Sequence, residues 1–534
     1  MRIRSLIISS HTAGRAGLLG VLLALGSGCG APAVQEPVVP GPPSAPAGTA
    51  GLPAPTTARP ADAGKPSDPF ALPESPRDEG PEIASSAPVN LDAWQKAKKA
   101  KGVAPAPASC AAHAKKVEKG SASERAQRAD LAPVECGDAI VDPLLESFNA
   151  ASSKDAPDAV RIAVGFSLAG KLARTAGAPP SIGAISDKEK VKAFITGPLK
   201  TWAVEQSTAI ELLSSGAAGL TGYARGISAI EAGIAELRLV DKIRSAPVPA
   251  GWDAELKGIY EAALDEALEP RKRRGRDAAL VGLSDLAKAG ILRDPRIDRA
   301  RVLLTKLYGG RRVDALDGLL LPAPAPVPAA QTPEEKTLAA TPTFWLDGRD
   351  FAIGKDPRVL SRGVISPVRE HFRKAPAPDA PDDVRSPYAR ARLDMGRVYW
   401  RRVDFVEAAH AATGSAKPED RLVLAVSLAL AHGPNGAAEM MRAQTPASLD
   451  LKHTEALDAL AAGAGPIAGM AAYDAAHLRA LCPPDGDDAT PHWADVAARF
   501  RKAEALLTDP AQKKAAAQRA TESDAIGKAA RPKP

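Results

Sequence analysis

The sequence predicts an all-α protein built from helical hairpins that stack as an α-solenoid. Aromatic residues make up only 4% of the 534 residues and hydrophobic residues 45%, so the core must consist mainly of Ala, Leu, Val and Ile. Ala, Leu, Arg and Glu are abundant and favour helix by intrinsic propensity. Many of the 49 prolines are concentrated in two stretches, which leaves long segments compatible with helix.

The first thirty residues have the features of a secretory signal peptide. Three arginines precede a short apolar run that ends at Leu25, and small residues then lead to Cys29. We expect residues 1–28 to be removed, which lowers the formal net charge from +6 to +3 because they contain three arginines and no acidic residue. A nearly neutral chain of this length does not indicate nucleic acid as a partner.

The cysteine after these small residues resembles the lipobox of bacterial lipoproteins. In that family the thiol is acylated, with palmitate among the attached lipids, and the cysteine becomes the new N-terminus. The resemblance therefore implies lipidation of Cys29 and attachment to a membrane, although Leu25 lies four residues before the cysteine rather than three. Gly30 replaces the Asp that retains such proteins in the inner membrane, which implies the outer membrane of a Gram-negative bacterium. An ordinary signal peptide is the alternative.

Changes in composition divide the rest of the chain. Residues 29–88 are rich in Pro, Ala, Gly and Ser, and we expect a disordered tether because they contain too little apolar surface to offset the entropy of ordering. Such a tether would span roughly 45 Å on average and up to about 180 Å when extended. The remaining predicted parts are a helical domain over 89–320, a Pro/Ala-rich linker over 321–342, mixed loop and short helix over 343–387, and a second helical domain over 388–530.

Apolar residues recur at spacings of three and four between residues 220 and 237, which predicts one buried helix face. Three glycines beside this face, Gly222, Gly226 and Gly233, indicate a neighbouring helix at close range. Charged residues interrupt the segment and exclude a membrane span.

A helical hairpin is predicted next, from a helix over residues 277–289 and a second helix that follows Asp294 as its N-cap and Pro295 as its first residue. Gly290 is expected to end the first helix. The basic run at 271–276 follows several acidic residues, and we interpret it as a solvated, self-neutralising helix junction.

The cysteines predict at most one disulfide. Since Cys29 is assigned to lipid, Cys110 and Cys136 could pair in an exported protein, and the bridge would contribute about 3 kcal/mol. Two separately buried thiols are the alternative. Cys482 is left over and is expected to be a free thiol.

Two stretches of the second helical domain resemble tetratricopeptide repeats, in which a glycine lets two helices touch and aromatic side chains fill the space between them. The residues in matching positions are Met395, Gly396, Tyr399, Phe405 and Ala408, and in the second stretch Trp493, Phe500 and Ala503. Val403 stands where the family prefers Gly at the turn. The resemblance implies that the first helices line a groove, with Arg397, Arg401 and Tyr473 as contact candidates. A helical bundle without repeats remains the alternative.

The sequence predicts no catalytic residue, no cofactor and no metal site. The stretch from Gly165 to Lys171 is similar to a phosphate-binding loop, but Leu172 replaces the Ser or Thr that holds magnesium, and its flanks fit a continuous helix. Five histidines after residue 400 lack the spacing of zinc ligands.

We therefore expect a non-enzymatic envelope lipoprotein that acts as a scaffold and binds another envelope protein through stacked helix pairs. One alternative is a periplasmic ligand-binding protein or enzyme with a dispersed site near 344–372. Its candidate residues are Trp345, Asp347, Asp350, Arg362, Glu370 and His371. Another alternative is a structural spacer between the membrane and the cell wall.

Overall fold

Every regular element in the described part of the chain is a helix, which confirms the predicted all-α class. The structure is a computed structural model. It describes residues 68–74, 89, 91–117, 125–126, 129–147, 157–181, 188–249, 251–292, 294–307, 312–323, 329–333, 336, 375–443, 445–485 and 489–530. Among these residues, no helix has both the length and the apolar character needed to cross a membrane.

The first half of the described chain contains helices α1 to α9. They are α1 Asp92–Ala97, α2 Cys110–Val117, α3 Gly137–Ser147, α4 Pro157–Ala173, α5 Lys188–Phe194, α6 Lys200–Gly216, α7 Gly222–Arg244, α8 Ala254–Lys288 and α9 Pro295–Leu307. Helix α4 packs on both α3 and α7, and α7 packs on α8, so α4 and α7 lie at the centre of this half.

Helices α7 and α8 approach each other closely, as the glycines predict. A Cβ atom added at Gly233 would lie 2.7 Å from the carbonyl oxygen of Gly275, and one at Gly226 would lie 2.9 Å from the side chain of Leu286. The prediction is wrong for Gly222, which has open space around it and a φ of +53°. Gly222 instead provides the left-handed backbone conformation where α7 begins.

Helix α8 is longer than predicted. It runs without interruption from Ala254 to Lys288 and includes Pro270 and the whole basic run. The interpretation of residues 271–276 as a helix junction is therefore wrong, whereas their charges are neutralised as expected: Arg271 and Arg274 both pair with Glu236. The hairpin with α9 forms, with the N–H of Arg296 donating to the Asp294 carboxylate at 2.8 Å and Gly290 at a φ of +72°.

A disulfide joins Cys110 to Cys136, with the two Cα atoms 5.1 Å apart. It links the start of α2 to the turn before α3, and both cysteines are buried. Cys482 is a buried free thiol.

The second half contains helices α10 to α17. They are α10 Asp382–Tyr399, α11 Arg402–Ala412, α12 Pro418–Leu430, α13 Ala437–Arg442, α14 Glu455–Ala461, α15 Pro466–Leu481, α16 Thr490–Leu506 and α17 Pro510–Ala529. Sequential helices pack as pairs, α10 with α11, α11 with α12, α14 with α15, α15 with α16 and α16 with α17, which gives a solenoid-like arrangement. Helix α10 begins six residues before the position predicted from Tyr388.

The two halves share one hydrophobic core. The turn between α10 and α11 enters the first half: Tyr399 donates its hydroxyl hydrogen to the Ile291 carbonyl at 2.7 Å, and the Trp400 indole donates to the Val313 carbonyl at 2.8 Å. Trp400 adopts a left-handed conformation with a φ of +60°. Residues 312–323, the connecting segment, lie between the two halves and contact both.

Residues 68–74 fall within the predicted disordered tether, yet they pack against the folded body. Phe70 contacts the hydrophobic core, and the Pro73 carbonyl lies 2.9 Å from Nε2 of His410 in α11. These seven residues of the predicted tether therefore contact the folded body, where Phe70 supplies apolar surface that the surrounding Pro- and Ala-rich sequence lacks.

Candidate binding site

Helices α15, α16 and α17 form three successive layers beside the connecting segment. Tyr473 of α15 meets Phe500 of α16 edge to face, with ring centroids 5.1 Å apart. Asp509 caps α17 by accepting the N–H of Gln512 at 2.8 Å, and Pro510 is the first residue of that helix. These contacts fix the position of α17 relative to its neighbours.

A cavity of about 460 Å³ lies between the connecting segment and these three helices. Its apolar lining includes Leu481, Trp493, Phe500 and Ile526. Its polar lining includes Arg312, Asp314, Asp317, His477, Arg519 and Glu522. The volume falls in the range of about 300–1,000 Å³ found for small-molecule sites.

His477 forms a neutral part of the cavity wall. Its side chain is buried, and Nε2 donates to the carbonyl oxygen of Ala315 at 2.8 Å. Burial lowers the pKa of His477 to about 4, because the imidazolium would lose its hydration. A Cβ atom at Gly318 would lie 2.7 Å from the imidazole, so only glycine allows the connecting segment to pass this close.

Asp474 lies one helical turn before His477 and holds the same segment. One carboxyl oxygen accepts the N–H of Leu320 at 2.7 Å, and the side chain is fully buried. Burial raises the pKa of Asp474 well above its usual value, so the carboxyl group is protonated over a range in which an exposed Asp is charged. Two uncharged polar groups thus attach the connecting segment to α15.

Most charges at the cavity are already paired within the chain. Arg312 donates twice to Asp314, at 3.1 and 3.0 Å, and these bonds lower the pKa of that carboxyl group. Asp317 accepts from Arg301 at 2.8 Å. Arg519 and Glu522 form a looser pair at 3.7 Å and remain nearly half exposed, so their charged ends face solvent beside the apolar lining.

The residues predicted to pack between repeat helices lie at helix contacts. Met395, Tyr399, Phe405 and Ala408 are buried, and a Cβ atom at Gly396 would overlap the ring of Phe405. The turn that joins α10 to α11 comprises Trp400 and Arg401. Val403 therefore lies inside α11, which begins at Arg402, rather than at the turn.

The second set of predicted packing residues lies on α16. Phe500 and Ala503 are buried, and Phe500 contacts Tyr473 of the neighbouring helix α15. Trp493 is only partly buried, because its side chain lines the cavity. The loop before α16 separates this helix from α15 without disturbing their contact.

The three residues predicted to line a partner groove contact the chain itself. Arg397 donates to the Leu316 carbonyl and Arg401 to the Ala287 carbonyl, both at 3.1 Å. Tyr473 is 5% exposed and lies in the core. The prediction of open groove contacts is therefore wrong at these positions, since the connecting segment and the end of α8 cover Arg397 and Arg401 and the core encloses Tyr473.

Other predicted positions lie outside the described residues. They are Cys29, the signal segment over 1–28, and the dispersed-site candidates Trp345, Asp347, Asp350, Arg362, Glu370 and His371.

Sequence reasoning missed the cavity. The part of α17 that lines it carries Arg519, Ser523 and Ile526 at spacings of four and three, which places them on one helix face. That mixed face has no apolar periodicity to mark it, although Asp509 and Pro510 signal the start of the helix. The connecting segment opposite was assigned to the end of a separate domain.

Other polar clusters have structural contacts. The stretch from Gly165 to Lys171 lies inside α4, which confirms the predicted continuous helix, and Lys171 pairs with Asp138 at 3.2 Å. His432 and His453 stack with ring centroids 4.3 Å apart. Within the residues that the structure describes, no group of three His, Cys, Asp or Glu side chains could hold a metal ion.

Comparison with known proteins gives no relative. No protein-family model, no curated protein and no solved structure matches this chain.

Proposed function

We propose that this chain is a non-enzymatic lipoprotein scaffold of the cell envelope that binds another envelope protein at the cavity formed with α15, α16 and α17. The cavity supports this proposal because its lining combines aromatic and aliphatic side chains with charged groups. Protein interfaces likewise combine apolar anchoring side chains with polar groups.

The polar contacts around the cavity favour binding over catalysis. Each of these polar side chains already has a partner within the chain: His477 bonds to Ala315, Asp314 to Arg312 and Asp317 to Arg301. A rigid wall of this kind suits a scaffold, because little ordering entropy is lost when a partner binds.

Membrane attachment through Cys29 is part of the same proposal. The signal segment, the cysteine and Gly30 support a lipid anchor in the outer membrane. Metabolic labelling with a palmitate analogue tests this anchor, with Cys29→Ala as the matched variant. Label in the wild-type chain that disappears in the variant is the expected result, and an unlabelled wild-type chain would contradict it.

The partner surface is tested by affinity purification from native envelopes after crosslinking. Ile526 lines the cavity and is 44% exposed, so Ile526→Arg adds a charge without opening the core. Val302→Arg is the control, because Val302 is 64% exposed and lies away from the cavity. We expect a defined partner that is recovered with wild type and with Val302→Arg but lost with Ile526→Arg.

A small-ligand receptor is the second candidate function, favoured by the volume of the cavity. A ligand that binds only the folded state raises the melting temperature according to its concentration and affinity. A thermal-shift screen of small envelope metabolites tests this function, with Ile526→Trp as the variant that fills the cavity. A rise in Tm that the variant abolishes would favour the receptor over the scaffold.

A further inference from the structure

Residues 68–74 have the sequence Asp-Pro-Phe-Ala-Leu-Pro-Glu and are placed against the second half of the chain. Phe70 is partly buried against the core, whereas Leu72 is 37% exposed. The Pro73 carbonyl accepts a hydrogen bond from Nε2 of His410 at 2.9 Å, across 337 positions of sequence. One apolar contact and one polar contact therefore attach the segment at two points.

The segment has its own local order. The carboxylate of Asp68 accepts the N–H of Phe70 at 3.0 Å, and the Asp68 carbonyl accepts the N–H of Ala71 at 3.0 Å, which closes a turn around Pro69. Pro69 and Pro73 restrict the backbone before it binds. A turn that is already restricted loses less entropy on docking than the Gly- and Ala-containing chain around it.

The surface that receives the segment lies on α11, which packs between α10 and α12. Along this helix Val403, Glu407, His410 and Ala411 are partly exposed, while most of the other residues are buried. Their spacings of four, three and one place them on one face. His410 lies in the last turn of α11 on this face, and the bond to Pro73 is made there.

We propose that residues 68–74 are an intramolecular docking segment that binds the His410-bearing face of α11 and sets the length of the tether. Docking leaves residues 30–67, the outer arm, between the proposed anchor and the docked segment, and residues 75–88 between that segment and the rest of the body. The docking contact itself is independent of lipidation, whereas its effect on reach rests on the proposed anchor at Cys29.

The consequence for reach follows from chain length. At about 3.1 Å per extended residue, the 38 residues of the outer arm span at most about 120 Å, against about 180 Å for the 59 residues from 30 to 88. Release of the docking segment therefore adds about 60 Å to the greatest distance between the anchor and the body. A scaffold with this device has a short and a long working distance.

Hydrogen exchange of the full-length protein tests the docking contact. The variant is Phe70→Ala, and Leu72→Ala is the matched control, because it truncates the more exposed apolar side chain of the same segment. We expect the backbone amides at positions 70 and 71 to exchange about tenfold faster in Phe70→Ala than in wild type. Truncating a partly buried aromatic ring should lower the equilibrium constant for docking by about that factor. Leu72→Ala should exchange like wild type. Equally fast exchange in wild type and Phe70→Ala would overturn the proposal.

The change in reach is tested with the acylated full-length protein in phosphatidylethanolamine and phosphatidylglycerol vesicles. Energy transfer between a donor at residue 302 on the body and an acceptor in the bilayer reports the mean distance. We expect lower transfer for Phe70→Ala than for wild type and Leu72→Ala. Transfer that is unchanged although exchange shows release would overturn the effect on reach. Failure to bind vesicles contradicts the proposed anchor, while the exchange result still decides the docking contact.

Discussion

Acidification should weaken the attachment of the connecting segment to α15 through His477. The pKa of this residue is about 4 in the folded protein, against a usual value near 6.5. Burial causes the shift, and the nearby guanidinium groups of Arg519, Arg312 and Arg397 add to it. The folded state therefore excludes a proton that the unfolded chain binds below about pH 6.5.

The magnitude follows from this difference in proton binding. Because the folded pKa is lowered, the contribution of His477 to stability is complete above pH 6.5 and declines as the pH falls toward 4. Between pH 7 and pH 5 the decline amounts to about 2 kcal/mol. Asp474 has the opposite effect on stability over this range. Because its pKa is raised in the folded state, its contribution to the free energy of unfolding falls as the pH rises. The wild-type profile alone therefore does not isolate His477.

The assay compares wild type with His477→Gln by urea denaturation at pH 5, 6 and 7. Glutamine can donate to the Ala315 carbonyl but cannot titrate, so all other pH effects cancel in the difference. We expect the free energy of unfolding of the variant relative to wild type to rise by about 2 kcal/mol from pH 7 to pH 5. A difference that stays constant with pH, or an NMR titration that places the His477 pKa near 6.5, would refute the reasoning.

Three further predictions concern stability. Gly396→Ala should lower the free energy of unfolding by about 1–3 kcal/mol, because the added Cβ overlaps Phe405. The control Gly258→Ala, at a helix position with no neighbour within 4 Å, should raise it by up to about 1 kcal/mol. Equal effects of the two substitutions in denaturation curves would contradict the close packing of α10 on α11. Reducing the disulfide between Cys110 and Cys136 should lower the free energy of unfolding by about 3 kcal/mol. The measurement is the same denaturation with and without dithiothreitol. An unchanged midpoint would show that the bridge does not constrain the unfolded chain. Asp474→Asn should gain stability relative to wild type as the pH rises above about 4, by at most about 1.4 kcal/mol per pH unit. The reason is that asparagine keeps the acceptor for Leu320 but carries no charge. A difference in unfolding free energy between variant and wild type that does not change with pH would argue against the raised pKa of Asp474.

The helices and their close contacts could be predicted because they depend on local patterns. The periodic residues around Ile227 and Ile230 are buried in α7, and Gly226 and Gly233 lie where α8 approaches. Asp294 and Pro295 begin α9 as their capping chemistry requires. The junction predicted at residues 271–276 is absent because α8 continues through Pro270, and ion pairs such as Lys272 with Asp265 and Arg273 with Glu269 join residues on either side of that proline.

The cavity and the contact between the two halves could not be predicted, because both depend on residues far apart in sequence. Arg397 and Arg401 look like exposed repeat residues until the connecting segment and the end of α8 are placed over them. His477 meets Ala315 across 162 positions. No regular spacing of residues in the sequence indicates these contacts. Phe70 was the one available signal for docking of the tether, since a large aromatic residue is unusual in so polar a segment.

Site-specific photocrosslinking in native envelopes tests the scaffold proposal most directly. A benzoylphenylalanine residue at position 526 probes the cavity, and one at position 302 probes an exposed position elsewhere on the body. The proposal predicts one defined envelope protein that is crosslinked from position 526 and is absent from the crosslinks made at position 302. The same crosslinks from both positions, or none from position 526 in envelopes that contain the chain, would contradict a partner site at the cavity.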